Sequence, residues 1–213
     1  WMTCVGRLAF PIFAFMIAEG CYYTSNVKKY MLRLFLFAII SEIPFNLIMG
    51  SSVFYPFHQN VLWTFLLGVL SIQIIEKAKK KQKKWISFFV VCLVLLMDFL
   101  LGTITMVDYN AAGILTVLLF YFFRKKTWIS FAAQLVGLYY LNVVMLGNLY
   151  YPVTILGHHF EIAQQSFALL ALIRIWLYHG EQGYHSKWFK YFCYAFYPVH
   201  LLILVVIWQW RIR

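Results

Sequence analysis

Charge is what this sequence has least of. Only 12% of its 213 residues are Asp, Glu, Lys or Arg, against about 25% in a soluble globular domain. That excludes a water-soluble domain, because too few polar side chains remain to cover a surface. Acidic residues are scarcer still: seven, against eighteen basic. Four cysteines, Cys4, Cys21, Cys92 and Cys193, lie far apart with no CxxC or Cys/His spacing, which argues against a disulfide framework and a metal site. There is no glycine-rich phosphate loop, no HExxH and no GxSxG. Low-complexity stretches and convincing internal repeats are also missing.

Apolar sequence fills the space: 63% of residues are hydrophobic and 21% aromatic. Eight segments, near 5–24, 29–49, 60–76, 85–102, 109–123, 127–146, 161–178 and 188–210, are long enough to cross a ~30 Å hydrocarbon core. Short connections predict antiparallel neighbours in one bundle. The expectation is an all-α, polytopic membrane protein of about eight transmembrane helices, with 1–213 as a single domain. Trp1 runs into apolar sequence at once, so an additional N-terminal helix is expected ahead of it.

Alternate loops separate the charge. One side collects Lys28, Lys29, Arg33, the lysines from Lys77 to Lys84, Arg124 to Lys126, Arg174, Lys187 and Lys190. These are 15 of the 18 basic residues, and the positive-inside rule makes that side cytoplasmic. A bacterial inner membrane is the expected location. The net charge of +11 is then a topology signal, and nucleic-acid binding is not needed to explain it. The Lys77–Lys84 run also offers a dock for anionic lipid headgroups or an anionic cosubstrate.

Ionisable residues inside apolar segments are functional candidates because each costs roughly 2.5–3.5 kcal/mol at bilayer depth. In GRLAFPIFAFMIAEG, Arg7, Pro11, Ala14 and Ala18 form one helical stripe, with Glu19 beside it. That stripe is expected to face protein or water; the alternative is an Arg and a Glu each reaching its nearest interface. In SEIPFN, Glu42 and Asn46 share a helix face. Pro44 removes a backbone donor beside them. Desolvation strengthens such a carboxylate as a base, although a helix-packing pin is the competing reading. His58, Gln59 and Asn60 stand at the mouth of the third segment, suited either to binding a carbonyl or amide group or to capping, with Asn60 as N-cap. Asp108 introduces the fifth segment, as a cap or a site residue, and Gly113 allows close packing there. Asp98, Glu161, His158, His159, Gln164 and Gln165 complete the polar residues of the outer half. His200, beside Pro198 in the last segment, is a further intramembrane candidate.

Several of these stretches together resemble the TraX family of conjugal-transfer membrane proteins: GRLAFPIFAFMIAEG, KKYMLRL, SEIPFN, HQNVLWTFLLG, DYNAAGILTVLLFYFFR, QQSFALLAL and YFCYAFYPVHL. The likeness runs through nearly the whole chain in order. It departs at Asn46, where Asp more often follows SEIPF, and at Asp108-Tyr109-Asn110, where the family has DYG. A family member would also carry an upstream helix with a DHIG-like motif that includes a His.

The resemblance implies an acyltransferase that moves acetyl from acetyl-coenzyme A to an amine or hydroxyl of a pilin-like protein or surface-glycan acceptor. On that reading Glu42, His200 and His58 are the catalytic candidates. Arg7, Glu19, Asn46, Gln59, Asn60, Asp108 and Gln165 are the substrate-binding ones. The partners are acyl-coenzyme A, the acceptor and membrane lipids, with no metal and no nucleic acid. The alternatives are a transporter or flippase without covalent chemistry, and a structural partner of a secretion or pilus assembly.

Overall fold

A computed structural model describes residues 2–147, 149–155, 158–181 and 186–212. Among these residues it contains eight α-helices, each matching one apolar segment of the sequence. They are α1 (Met2–Tyr23), α2 (Val27–Gly50), α3 (Val61–Lys81), α4 (Lys84–Ile104), α5 (Asn110–Phe122), α6 (Trp128–Leu138), α7 (Ala171–Leu177) and α8 (Lys187–Ile212). By length and composition five helical spans are able to cross a membrane: Val27–Gly50, Val61–Lys81, Lys84–Ile104, Trp128–Met145 and Tyr191–Trp210. The protein is an all-α, polytopic membrane bundle.

Side-chain caps set several helix starts. Asn26 accepts from the Lys29 amide at 3.0 Å, Asn60 from Leu62 at 3.0 Å and Thr127 from Ser130 at 3.2 Å. Each satisfies an amide that a helix leaves without an internal partner.

The centre is built on α3 and α5, with α1 against both. Val69 and Ile75 of α3, Ile114 and Val117 of α5 and Ala14 of α1 have no exposed surface. Lipid is as apolar as these side chains, so close packing rather than the hydrophobic effect holds them together. Gly113 does what small size predicts: a Cβ there would lie 2.6 Å from Thr64 Cγ2 of α3. The stripe on α1 also faces inward as expected, with Pro11, Ala14 and Ala18 buried.

Two segments differ from the expectation of continuous helices. The sixth passes from α6 into a π-helical stretch, Tyr139–Met145, where buried Asn142 donates to the Leu138 carbonyl at 3.1 Å. A polar side chain bonded to its own helix in this way loosens the regular ladder. The seventh is not one helix over 161–178. Residues Tyr150–Ile155 (β1) and His158–Ala163 (β2) form an antiparallel hairpin, followed by a 3₁₀ helix, Gln164–Leu170, that leads into α7. Glu161 therefore lies on a strand, in register with Pro152.

α8 lies along α2. Its inward side carries Tyr194, Pro198, Leu201 and Val205, and Tyr194 stacks on Phe37 with centroids 5.1 Å apart.

A polar mouth at the end opposite the lysines

The ends of α2, α3 and α5 remote from the lysine-rich loops meet around two short connections. Backbone bonds join those connections: Gln59 N donates to Met106 O and Asp108 N to Gln59 O, both at 2.9 Å. The second connection turns sharply, with φ of 51°, 64° and 47° at Met106, Tyr109 and Asn110. The chain there carries Asp108 toward the first connection.

Glu42 is held by the start of α3. Its Oε2 accepts from Trp63 Nε1 at 2.9 Å and from the Asn60 amide. Asn60, fully buried, also donates to the Ala38 carbonyl at 2.9 Å while its oxygen caps α3. One side-chain amide thereby caps α3, the structural reading of the sequence, and also holds the Glu42 carboxylate. Glu42 Oε1, enclosed, has no hydrogen bond.

His58 and Asp108 form the second pair. Nε2 of the imidazole lies 3.4 Å from Asp108 Oδ1, with the side chains 38% and 29% exposed, and Phe45 stacks on the imidazole at 5.5 Å. The hydrogen bond to Asp108 raises the pKa of His58; burial opposes it, and the charges of Asp108 and Glu42 add to it. Asp108 is not the side-chain cap of α5, whose N-cap position is Tyr109. Its Oδ1 instead accepts from the Tyr109 amide at 3.1 Å, and its carbonyl from Thr64 Oγ1 at 2.6 Å.

The other candidates fall around this mouth or away from it. Arg7 lies within electrostatic reach of Tyr109, and its enclosed Nε has no partner. Asn46 ties the first connection back to α2 through Val53 O at 3.1 Å. Gln59 turns its side chain to Pro56 O at 3.0 Å. Gln165 sits in the 3₁₀ helix with an enclosed, unbonded Oε1. Glu19 belongs to the opposite end of the bundle, 2.5 Å from Arg124. Asp98 is buried against α3, accepting from Ser71 at 2.7 Å.

His200 lies 2.8 Å from the Tyr197 carbonyl of its own helix and stacks on Phe196. Tyr197, three residues earlier, is the α8 side chain that reaches the mouth. Its side chain approaches the Val61 backbone and lies within electrostatic reach of Asp108 and Glu42. Neither Tyr197 nor Trp63 stood out in the sequence as a site residue, because both look like ordinary membrane aromatics. The available signal was an N–H or O–H that must find a partner once buried.

Beneath the mouth, Phe10 stacks between Tyr109, at 3.8 Å, and Phe65, at 5.8 Å. The described residues contain no group of three or more His, Cys, Asp or Glu able to hold a metal.

A family model described as TraX protein matches residues 1–208. Among curated proteins, the chain is similar to a "Probable fimbrial assembly protein FimC, serogroup H1" of Dichelobacter nodosus, with 26% identity over 208 residues. That match covers 94% of this chain and 80% of the relative. No solved structure matches the chain significantly.

Proposed function

The chain belongs to the TraX family, and from that premise we propose a membrane-embedded acyltransferase acting in pilus- or conjugation-related assembly. The fimbrial-assembly name of the Dichelobacter relative supports the setting. The chemistry rests on one observation, the His58–Asp108 pair at 3.4 Å beside the Glu42–Asn60–Trp63 cluster.

With Nε2–H directed at Asp108, Nδ1 of His58 is left to accept a proton. Carboxylate pairing both orients the ring and strengthens it as a base. In the proposed reaction His58 takes the proton of an acceptor amine or hydroxyl as that atom attacks the acyl carbonyl carbon. The C–S bond then breaks and the proton passes to the departing thiolate. Glu42, fixed through Oε2 and free at Oε1, orients the acceptor. Arg7, whose Nε has no partner, donates to the carbonyl oxygen as negative charge develops on it. Tyr197 closes the α8 side.

Acetyl-coenzyme A would supply the activated acyl group. Its phosphates suit the opposite end, where Lys29, Arg33, Ser25 and Asn26 line an opening of about 510 Å³. With the basic loops cytoplasmic, donor and acceptor would approach from opposite faces of an inner membrane. The acceptor class is a pilin-like protein or a surface glycan.

The test uses host membranes containing the protein and labelled acetyl-coenzyme A, with His58→Ala, Glu42→Gln and His200→Ala at matched abundance. Transfer to a protein or glycan acceptor, reduced roughly 10²–10⁴-fold in His58→Ala, is expected. Absence of transfer by abundant, folded protein would sink the reading in favour of transport or scaffolding.

A further inference from the structure

At the lysine-rich end a second concavity, about 630 Å³, lies between α1 and α7. Ile12, Phe15 and Met16 of α1 and Ile175 of α7 form its apolar walls, and Arg174 and Tyr178 stand at its rim. The cleft is open outward at Met16, 56% exposed, and the adjoining face of α7 is uncovered and apolar, with Ile173 and Leu177 each 60% exposed.

Three cations gather near it, and two are already engaged. The Arg124 guanidinium pairs with Glu19 at 2.5 Å and lies 3.5 Å over the Tyr22 ring. The Lys126 ammonium donates to the carbonyls of Trp176, at 2.9 Å, and Tyr178, which closes the C-terminal end of α7. Arg174, in the last turn of α7, has no hydrogen bond or ion pair with any described residue. One free cation thus stands over a mostly apolar cleft, whose lining also includes Tyr23 and Glu19, the latter already paired with Arg124.

We propose that this cleft binds one anionic phospholipid, its phosphodiester on Arg174 and one acyl chain between Phe15 and Ile175. The charge balance selects this occupant. A phosphodiester carries a single negative charge and finds a single unpaired cation. Coenzyme A, with a pyrophosphate and a further phosphate, would meet Glu19 and only one free positive group. The outward opening lets the second lipid chain stay in the bilayer. Tyr178 at the rim is the residue type that settles at headgroup level. The inference does not depend on acyl transfer.

The full chain, purified in detergent, would be incubated with phosphatidylglycerol or phosphatidylcholine of identical chains, and retained lipid counted by native mass spectrometry. Retention of phosphatidylglycerol about fivefold better is expected from one basic side chain at the headgroup. Arg174→Gln should erase that preference. Met16→Trp, which fills the cleft without altering charge, should lower retention of both lipids. Lys125→Gln, an exposed cation outside the cleft, should leave the preference intact. Equal retention of the two lipids, an unaltered preference in Arg174→Gln, or a lost preference in Lys125→Gln would each overturn the proposal. Displacement of the bound lipid by palmitoyl-coenzyme A would also overturn it and assign the cleft to an acyl donor.

Discussion

Trp63 Nε1 donates to Glu42 Oε2 at 2.9 Å, so the carboxylate of α2 is held by the first turn of α3. Replacing Trp63 by Phe keeps the ring and removes the donor. The expected cost is about 1 kcal/mol, as for other hydrogen bonds between membrane helices. Asn60→Ala removes a cap and two further bonds and should cost about 2–3 kcal/mol. Thermal unfolding in detergent, with Glu42→Ala as the second side of a double-mutant cycle, checks both. Equal effects of Trp63→Phe in the two backgrounds would show that the indole bond contributes nothing.

The His58–Asp108 pair makes a pH prediction. Its hydrogen bond raises the pKa of His58, so the protonated imidazole is favoured in the folded protein. The stability it contributes is present below the ordinary value of about 6.5 and is lost as pH rises through the raised value. Activity through His58 as base runs the other way, increasing as pH passes that same value. Asp108→Asn should move both inflections downward. Unfolding temperature and transfer rate measured across neutral pH give the two curves, and inflections unmoved by Asp108→Asn would rule out the pairing.

Gly102 permits the close approach of α4 and α5. A Cβ there would lie 2.6 Å from both Cα and N of Ala111, backbone atoms that cannot swing aside. Gly102→Ala should cost about 1–3 kcal/mol, the range for overpacked cores, and displace the turn that carries Asp108. Reduced thermal stability and transfer activity together are the expected readout; wild-type values for both would refute it.

Asn110 sits at φ 47°, in the left-handed region where glycine is free of strain and Asn is the best-tolerated substitute. Asn110→Gly should therefore be neutral or stabilising by up to about 1 kcal/mol, and Asn110→Ala destabilising by a similar amount. Unfolding measurements that rank Ala above Gly would contradict this account.

That position also shows what was legible from the residues. The displaced glycine of Asp108-Tyr109-Asn110 was visible; its backbone reason, a left-handed turn, was not. Hydropathy located all eight helices because each is apolar, although only five helical spans have the length and composition to cross a membrane. It failed at the start of the seventh segment, where residues 161–163 belong to the second strand of a hairpin, and it gave no sign of that hairpin in the connection before it. Apolar content alone does not distinguish a strand from a helix end. At the mouth, Glu42, His58, Asn60 and Asp108 were each legible as polar groups out of place. Their pairing was not, since His58 and Asp108 are 50 residues apart in sequence. On α8 the proline-flanked histidine drew attention, while rotation of the helix brings Tyr197 rather than His200 to the Val61 backbone.

The three-way bonding of Asn60 bears on how the chain enters the bilayer. Alone in lipid, α2 would carry a carboxylate costing roughly 2.5–3.5 kcal/mol, and its Ala38 carbonyl would lose the extra donor. The partners that relieve both, Asn60 and Trp63, arrive with the next helix. α2 and α3 should therefore leave the insertion machinery as a joined helical hairpin. A ribosome stalled before Asn60 would hold α2 at the translocon, waiting for α3.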